Sequence, residues 1–338
     1  MLVSTNGRPY TPGEMARPIL QQDTQDEMCD LERSVRGIRG AAMTTASGEQ
    51  AAVRRHRSCR HMCMRNVFRA AVAVASFIGA AGFSAGGQRT PRASASVLSE
   101  HHLEALQSMT PQQQAELLLE RAINRYRGAN EEIAARAPGW LGHLKSTERL
   151  ESLFRMAINS DDMRVRVAAI EMNVAARGLS RTPETIDRLE PEARSGEQGP
   201  RANALWNIGL LGNRGVQPDR AFEIVSSSLH DSNVNIRYWA VEGLAFLGTD
   251  AVIEPLLQVF HDDASPIIRE RAACSLAQSG MLNEKQRWQA VPRLLEYAGD
   301  PSFDAQTRTW VFQALRDITG ESLPPDATAW REWHARRR

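Results

Sequence analysis

From Ser146 onward, stretches whose apolar residues recur every three or four positions alternate with short polar turns, the period of helices that bury one face. The pattern is clearest in DSNVNIRYWAVEGLAFLG (231–248) and DDASPIIRERAACSLAQSG (262–280). Each opens on acidic turn-formers, passes through a central arginine, continues with small and aliphatic residues, and closes on glycine. With Arg237 and Arg269 as position zero, position three is Ala240 and Ala272, position seven Leu244 and Leu276, and position eleven Gly248 and Gly280. A register kept across two segments is an internal repeat, and repeats of this length are stacked supersecondary units that bury a continuous core. Extended along the chain, the aligned arginines are Arg166, Arg201, Arg237, Arg269 and Arg308, spaced 35, 36, 32 and 39 residues apart. Position seven is aliphatic at Ile208 and Leu315 as well, but Asn173 in the first repeat, which is therefore the divergent one.

Each repeat holds two helical stretches. The first are expected near 147–159, 183–194, 219–230, 250–261 and 285–298, the second near 163–177, 200–211, 233–247, 266–279 and 303–319. Capping signals support these limits: Thr182 precedes Pro183, and Gly212, Gly248, Gly280 and Gly320 close second helices. Ahead of the repeats, Thr110-Pro111 with Gln113 announces a capped helix. The expected organisation is a helical N-terminal cap (99–145), a solenoid (146–320) and a Trp-containing C-terminal capping helix (321–338). The fold class is all-α: a right-handed α-solenoid of about five helix pairs between helical caps.

Paired helices of this period, with aspartate in the inter-helix turn, a central arginine and Ala/Leu/Gly downstream, resemble HEAT repeats. Pro255 and Pro292 inside first helices fit that resemblance, and the ending DITGESLPPDATAWREWHARRR resembles the tail of many uncharacterised, exported bacterial HEAT proteins. The resemblance implies a scaffold or binding role and no reaction. It also implies that the arginines form a structural ladder to turn aspartates of neighbouring repeats, with Asp231, Asp262 and Asp300 placed to serve. Second helices of such stacks line the concave side. On them positions two, five and nine point away from the aliphatic core positions, which makes Trp206, Trp239, Glu242, Phe246, Arg271, Gln278, Trp310 and Gln313 the groove candidates. Exposed tryptophan there would be an anchor of the kind binding hot spots favour, whereas buried tryptophan would only stiffen the stack.

Composition narrows the function further. Residues 1–69 carry a net charge of +4, residues 70–87 none, and residues 88–338 a net −3, so the repeat body lacks the basic footprint of a nucleic-acid binder. Three of the four cysteines lie at 29, 59 and 63, which leaves Cys274 as an inert thiol in the body and excludes a disulfide framework there. His56, Cys59, His61 and Cys63 cluster without the spacing of a standard zinc site, so no metal and no cofactor is expected. Residues 1–63 show no sustained period and are expected to be disordered or to precede the true start at Met64. The stretch MRNVFRAAVAVASFIGAAGFSAGG (64–87) has the basic start, apolar run and small-residue end of a secretory signal, followed by a linker at 88–98. An uncleaved membrane anchor is the rival. The expectation is a periplasmic or secreted monomer, not an enzyme, that binds a protein or peptide in its groove and keeps no stable membrane span after cleavage. HEAT-like enzymes resembling phycobilin lyases or alkylpurine DNA glycosylases, and a purely structural spacer, are the alternatives.

Overall fold

The computed structural model describes residues 97–98 and 100–337. The apolar stretch 64–87 and the His/Cys cluster at 56–63 lie outside the described residues. The chain divides into two units. In the smaller, Met1–Ser99 with Arg125–Arg127, the Leu98 N–H donates to the Arg127 carbonyl at 3.1 Å beside an isolated bridge between Val97 and Arg127. The larger, Glu100–Asn124 with Gly128–Arg338, holds fifteen α-helices and no strand among its described residues.

Three helices, α1 (Glu100–Gln107), α2 (Pro111–Ile123) and α3 (Ala129–Trp140), precede five pairs. The pairs are α4 (Glu148–Ile158) with α5 (Met163–Ala176), α6 (Pro183–Ala193) with α7 (Gln198–Asn213), α8 (Pro218–Ser226) with α9 (Val234–Leu247), and α10 (Ile253–Asp262) with α11 (Pro266–Ala277). In the fifth pair the first helix is split into α12 (Glu284–Gln289) and α13 (Val291–Tyr297), followed by α14 (Ala305–Thr319); α15 (Ala327–Ala335) closes the described chain. The result is an all-α solenoid. The split and the 3₁₀ turn ahead of α10 (Asp250–Val252) have one cause: Pro292 and Pro255 lack an N–H and crowd the carbonyl four residues back. At Thr110 the anticipated capping box with Gln113 is complete.

The repeat register is the register of the core. Ala169, Ala204, Ala240, Ala272 and Val311 at position three are fully buried, as are Ile208, Leu244, Leu276 and Leu315 at position seven. Small residues at position three let neighbouring second helices approach closely, most closely where α7 meets α9. There Gly209 packs on Gly243, and a Cβ on Gly243 would lie 2.8 Å from the Leu205 carbonyl oxygen. Gly248 and Gly320 end α9 and α14 in the left-handed conformation (φ +67° and +74°). Gly212 departs from expectation. It lies inside α7, which continues to Asn213, because its missing side chain admits Ala221 of α8, and Gly215 takes the left-handed position instead.

All five aligned arginines donate to a carbonyl near their own inter-helix turn, Arg166 to that of Ser160, and three of them also reach a carboxylate of a neighbouring repeat. Arg237 grips Asp263 with two parallel bonds, Nε to Oδ2 at 2.7 Å and Nη2 to Oδ1 at 3.0 Å, and donates from Nη1 to the Asp231 carbonyl at 2.9 Å. Arg201 meets Asp231 at 2.6 Å and the Ala193 carbonyl; Arg269 meets Asp304 at 3.0 Å and the Asp263 carbonyl. Arg308, at the end of the ladder, donates to the Phe303 and Asp300 carbonyls. The guanidiniums of Arg201, Arg237 and Arg269 each satisfy a carbonyl of their own turn and a carboxylate of the next, the charge-assisted forked geometry that arginine favours. The carboxylates of Asp262 and Asp300 do not fill the role expected of them. Asp263 and Asp304 serve instead, because each also accepts a backbone N–H bond at the start of the following helix, which fixes its carboxylate within reach of the arginine.

Asp262 and Asp300 flank His261, whose Nδ1 faces Asp262 Oδ1 and whose Nε2 lies 3.0 Å from Asp300 Oδ2, with the ring 4.9 Å from both Tyr297 and Phe303. Partial burial opposes charge on this imidazole, but the two carboxylates outweigh it and raise its pKa. Bonds from Ser302 and His261 hold Asp300 down at about 2.

These contacts make two outcomes measurable. Alanine at Gly209 gains up to ~1 kcal/mol of helix propensity but presses on rigid backbone, where overpacking costs about 1–3 kcal/mol. Gly209→Ala should therefore lower the urea midpoint. The His261 joint should be strongest where imidazole is protonated and Asp300 ionised. The Asp300 contribution is present above the ordinary carboxylate value and is lost as pH falls toward about 2. The His261 contribution is complete below ~6.5 and is lost as pH rises through its raised pKa. Thermal melts of His261→Gln and wild type should thus differ most between pH ~4 and ~6.5, and converge as the pH climbs past that raised value.

Candidate binding surface

The second helices α7, α9, α11 and α14 run side by side and would present positions two, five and nine on one inner face. Of the groove candidates, Trp206, Trp239 and Phe246 are only 2%, 3% and 4% exposed. They interlock edge to face, Trp206 lying 5.8 Å from Trp239 and 4.7 Å from Phe246. An accessible aromatic strip is therefore not present at these three positions. Glu242 is buried against Arg271 in an ion pair. Burial opposes charge on both partners. It leaves the Glu242 carboxyl raised, whereas at Arg271 the nearby Glu242 overrides it and holds the guanidinium firmly protonated. Gln278 follows α11 and is half-buried. On α14, Trp310 and Asp317 are half-buried and Gln313 is exposed, donating to Asp317 at 2.8 Å. The Trp310 indole N–H has no acceptor among the described residues. Cys274 is half-buried.

The helix that bridges across the repeats is α5, the second helix of the divergent repeat. From Val165 to Ala175 every residue is buried except Val167, which is half-buried, so this is a helix without a solvent stripe. The N-terminal turn of α5 is tied to the far end of α11, where Arg166 donates from Nη1 to the Gly280 carbonyl at 2.5 Å and from Nη2 to the Gln278 carbonyl at 3.0 Å. Its middle meets the residue after α7 through Glu171, whose Oε1 accepts from Arg214 at 2.7 Å and from Arg181 at 2.8 Å. Its end reaches the beginning of α7, Arg177 Nη1 donating to Asn203 at 2.6 Å. So α5 crosses the inner face counter to α7, while α2, α3 and α4 pack on it as well.

The Arg166 contact has a clear electrostatic basis. The last carbonyls of a helix are unpaired and carry partial negative charge. Arg287 of α12 caps the same end, donating to the carbonyls of Leu276, Gln278 and Ser279. Burial, and then the charge of Arg166, press the Arg287 pKa down to about 10, which still leaves it protonated at neutral pH. The repeat register assigns Arg166 to the ladder of turn aspartates. It keeps the bond to its own turn, Nε donating to the Ser160 carbonyl, but has no carboxylate partner because the turn of the next repeat, ARSGEQGP, contains no aspartate.

Residues 186–277 match the family of HEAT repeats. The chain carries HEAT repeats. Among solved structures, an engineered protein is similar at 14% identity, with 61% of this chain and 96% of that chain covered and a TM-score of 0.30. No curated protein sequence matches. Among the described residues of the HEAT-repeat chain, no helix is long and apolar enough to cross a membrane, and no group of three or more His, Cys, Asp or Glu is placed to hold a metal ion.

Sequence reasoning misses Arg287, Glu171 with Arg214, and the His261 joint. A helix with buried charges at Arg166 and Glu171 and no polar stripe is the available signal for α5. Arg166→Ala should leave the α11 carbonyls short of donors, at about 1–3 kcal/mol for each group left unsatisfied. In single-tryptophan variants, Trp206 and Trp239 should resist acrylamide quenching in the wild-type background and become more quenchable with Arg166→Ala. Unchanged quenching would mean that α5 does not shield the two indoles.

Proposed function

We propose that this chain is a non-catalytic HEAT-repeat scaffold that binds a protein or peptide on the part of its inner face around Trp310, and that it is exported through the apolar stretch 64–87. The observation that carries the binding site is Trp310 itself: a half-buried indole that keeps part of its ring in solvent beside exposed Gln313. The exposed part of that ring offers a partner apolar surface next to a side-chain amide. HEAT repeats often mediate protein interactions, which supports the same reading. The non-catalytic part draws support from the buried charges, since Glu171 and Glu242 are both committed to arginines. Arg271 and Gln278 border this region in sequence register, whereas burial removes Trp206, Trp239 and Phe246 from direct contact with a partner.

A photo-crosslinker at exposed Gln306, one helical turn before Trp310, should capture a partner that the same group at exposed Arg188, on a first helix, does not. Trp310→Ala and Gln313→Arg should both abolish that capture, while the stability of Gln313→Arg stays within about 0.5 kcal/mol of wild type. Equal capture from both positions, or capture insensitive to both substitutions, would count against this surface. Export is tested separately: the mature N-terminus should fall between residues 80 and 90, and recovery of peptides from 1–60 in the mature protein would overturn it.

A further inference from the structure

The C-terminal end of the chain builds an aromatic surface apart from the contacts that stack the repeats. Trp330 of α15 is fully buried, its indole N–H donating to the Pro324 carbonyl at 3.0 Å. Trp333 stands edge-on to it at 5.5 Å and 76°, so its orientation is fixed from below. Trp288 of α12 then lies nearly parallel to Trp333, with centroids 6.2 Å apart and 27° between planes. Trp288 is half-buried, and Trp333 is 9% exposed with the Arg337 side chain in place. Over them sits the guanidinium of Arg337, 5.7 Å from the Trp288 centroid and 5.1 Å from that of Trp333. Its Nη1 donates to Glu321 Oε1 at 3.2 Å, and half of the side chain remains in solvent.

We propose that the face shared by Trp288 and Trp333 is a receptor for the arginine side chain of a partner, occupied in this state by the chain's own Arg337. The chemistry selects arginine in two ways. Two nearly parallel indoles offer a broad negative face that a flat, weakly hydrated guanidinium covers better than a compact ammonium does. Glu321 adds a carboxylate that needs N–H donors, which a quaternary ammonium lacks. Arg337 lies beyond α15 on a side chain with 52% exposure, so it is a tethered competitor that can leave without unfolding a helix. This site is separate from the Trp310 surface and stands or falls independently of it.

The test titrates the full chain with N-acetyl-arginine methylamide and follows tryptophan fluorescence, using the lysine and citrulline analogues as controls. Removing the competitor in Arg337→Gln should tighten the arginine response several-fold relative to wild type. Trp288→Ala in that background should abolish it, with unchanged helical circular dichroism showing that the fold survives. Glu321→Gln, a change ahead of α15 on a partly exposed side chain, should weaken the response and serves if the Trp288 variant fails to fold. Equal affinity in wild type and Arg337→Gln, or no arginine response in either, would overturn the proposal. A citrulline or lysine response equal to that of arginine would overturn the assignment to arginine.

Discussion

A helix pair leaves its inter-helix turn with carbonyls that no helix can satisfy, and a stack of pairs must satisfy them while fixing the angle between repeats. One guanidinium at position zero meets both needs, because its fork reaches a carbonyl of its own turn and a carboxylate of the next. The aspartates that receive it are themselves held by backbone N–H groups at the start of a helix. The geometry of each joint is thus set before the arginine arrives. Position-three alanines and the Gly209–Gly243 crossing then determine how closely the second helices approach.

The same side chain does something different once the acceptor is missing. Arg166 has no aspartate in the turn that follows, and it caps the end of α11 more than a hundred residues away. That exchange converts the second helix of the first repeat from a stacked element into one that lies across the others. It also fits Asn173, in place of an aliphatic residue, at position seven, where its side chain accepts from Arg177.

Helix limits and core register were legible because they depend on local pattern. Periodicity, prolines and glycines specify them within each repeat, and the buried residues at positions three and seven follow. The identity of the ladder aspartates was legible only to within one turn, since Asp262 and Asp263 are adjacent and backbone bonding at the helix start decides between them. The bridging by α5 was not legible from the repeat pattern, which assumes that every pair stacks like its neighbour. Only the mixture of buried charge and apolar residues in MRVRVAAIEMNVAA pointed elsewhere.

Burial also changes what the inner face can do. In an open solenoid, aromatic residues at positions two, five and nine would await a ligand. Here the Trp206–Trp239–Phe246 cluster has its apolar surface already removed from water, so a partner gains nothing by covering it again. To use that surface, a partner would first have to displace α5 and break the Arg166 and Glu171 contacts, which are charge-assisted and buried. The inner face is therefore structural toward the N-terminal repeats. Its open part narrows to α14, where Trp310 remains half-buried and Gln313 faces solvent.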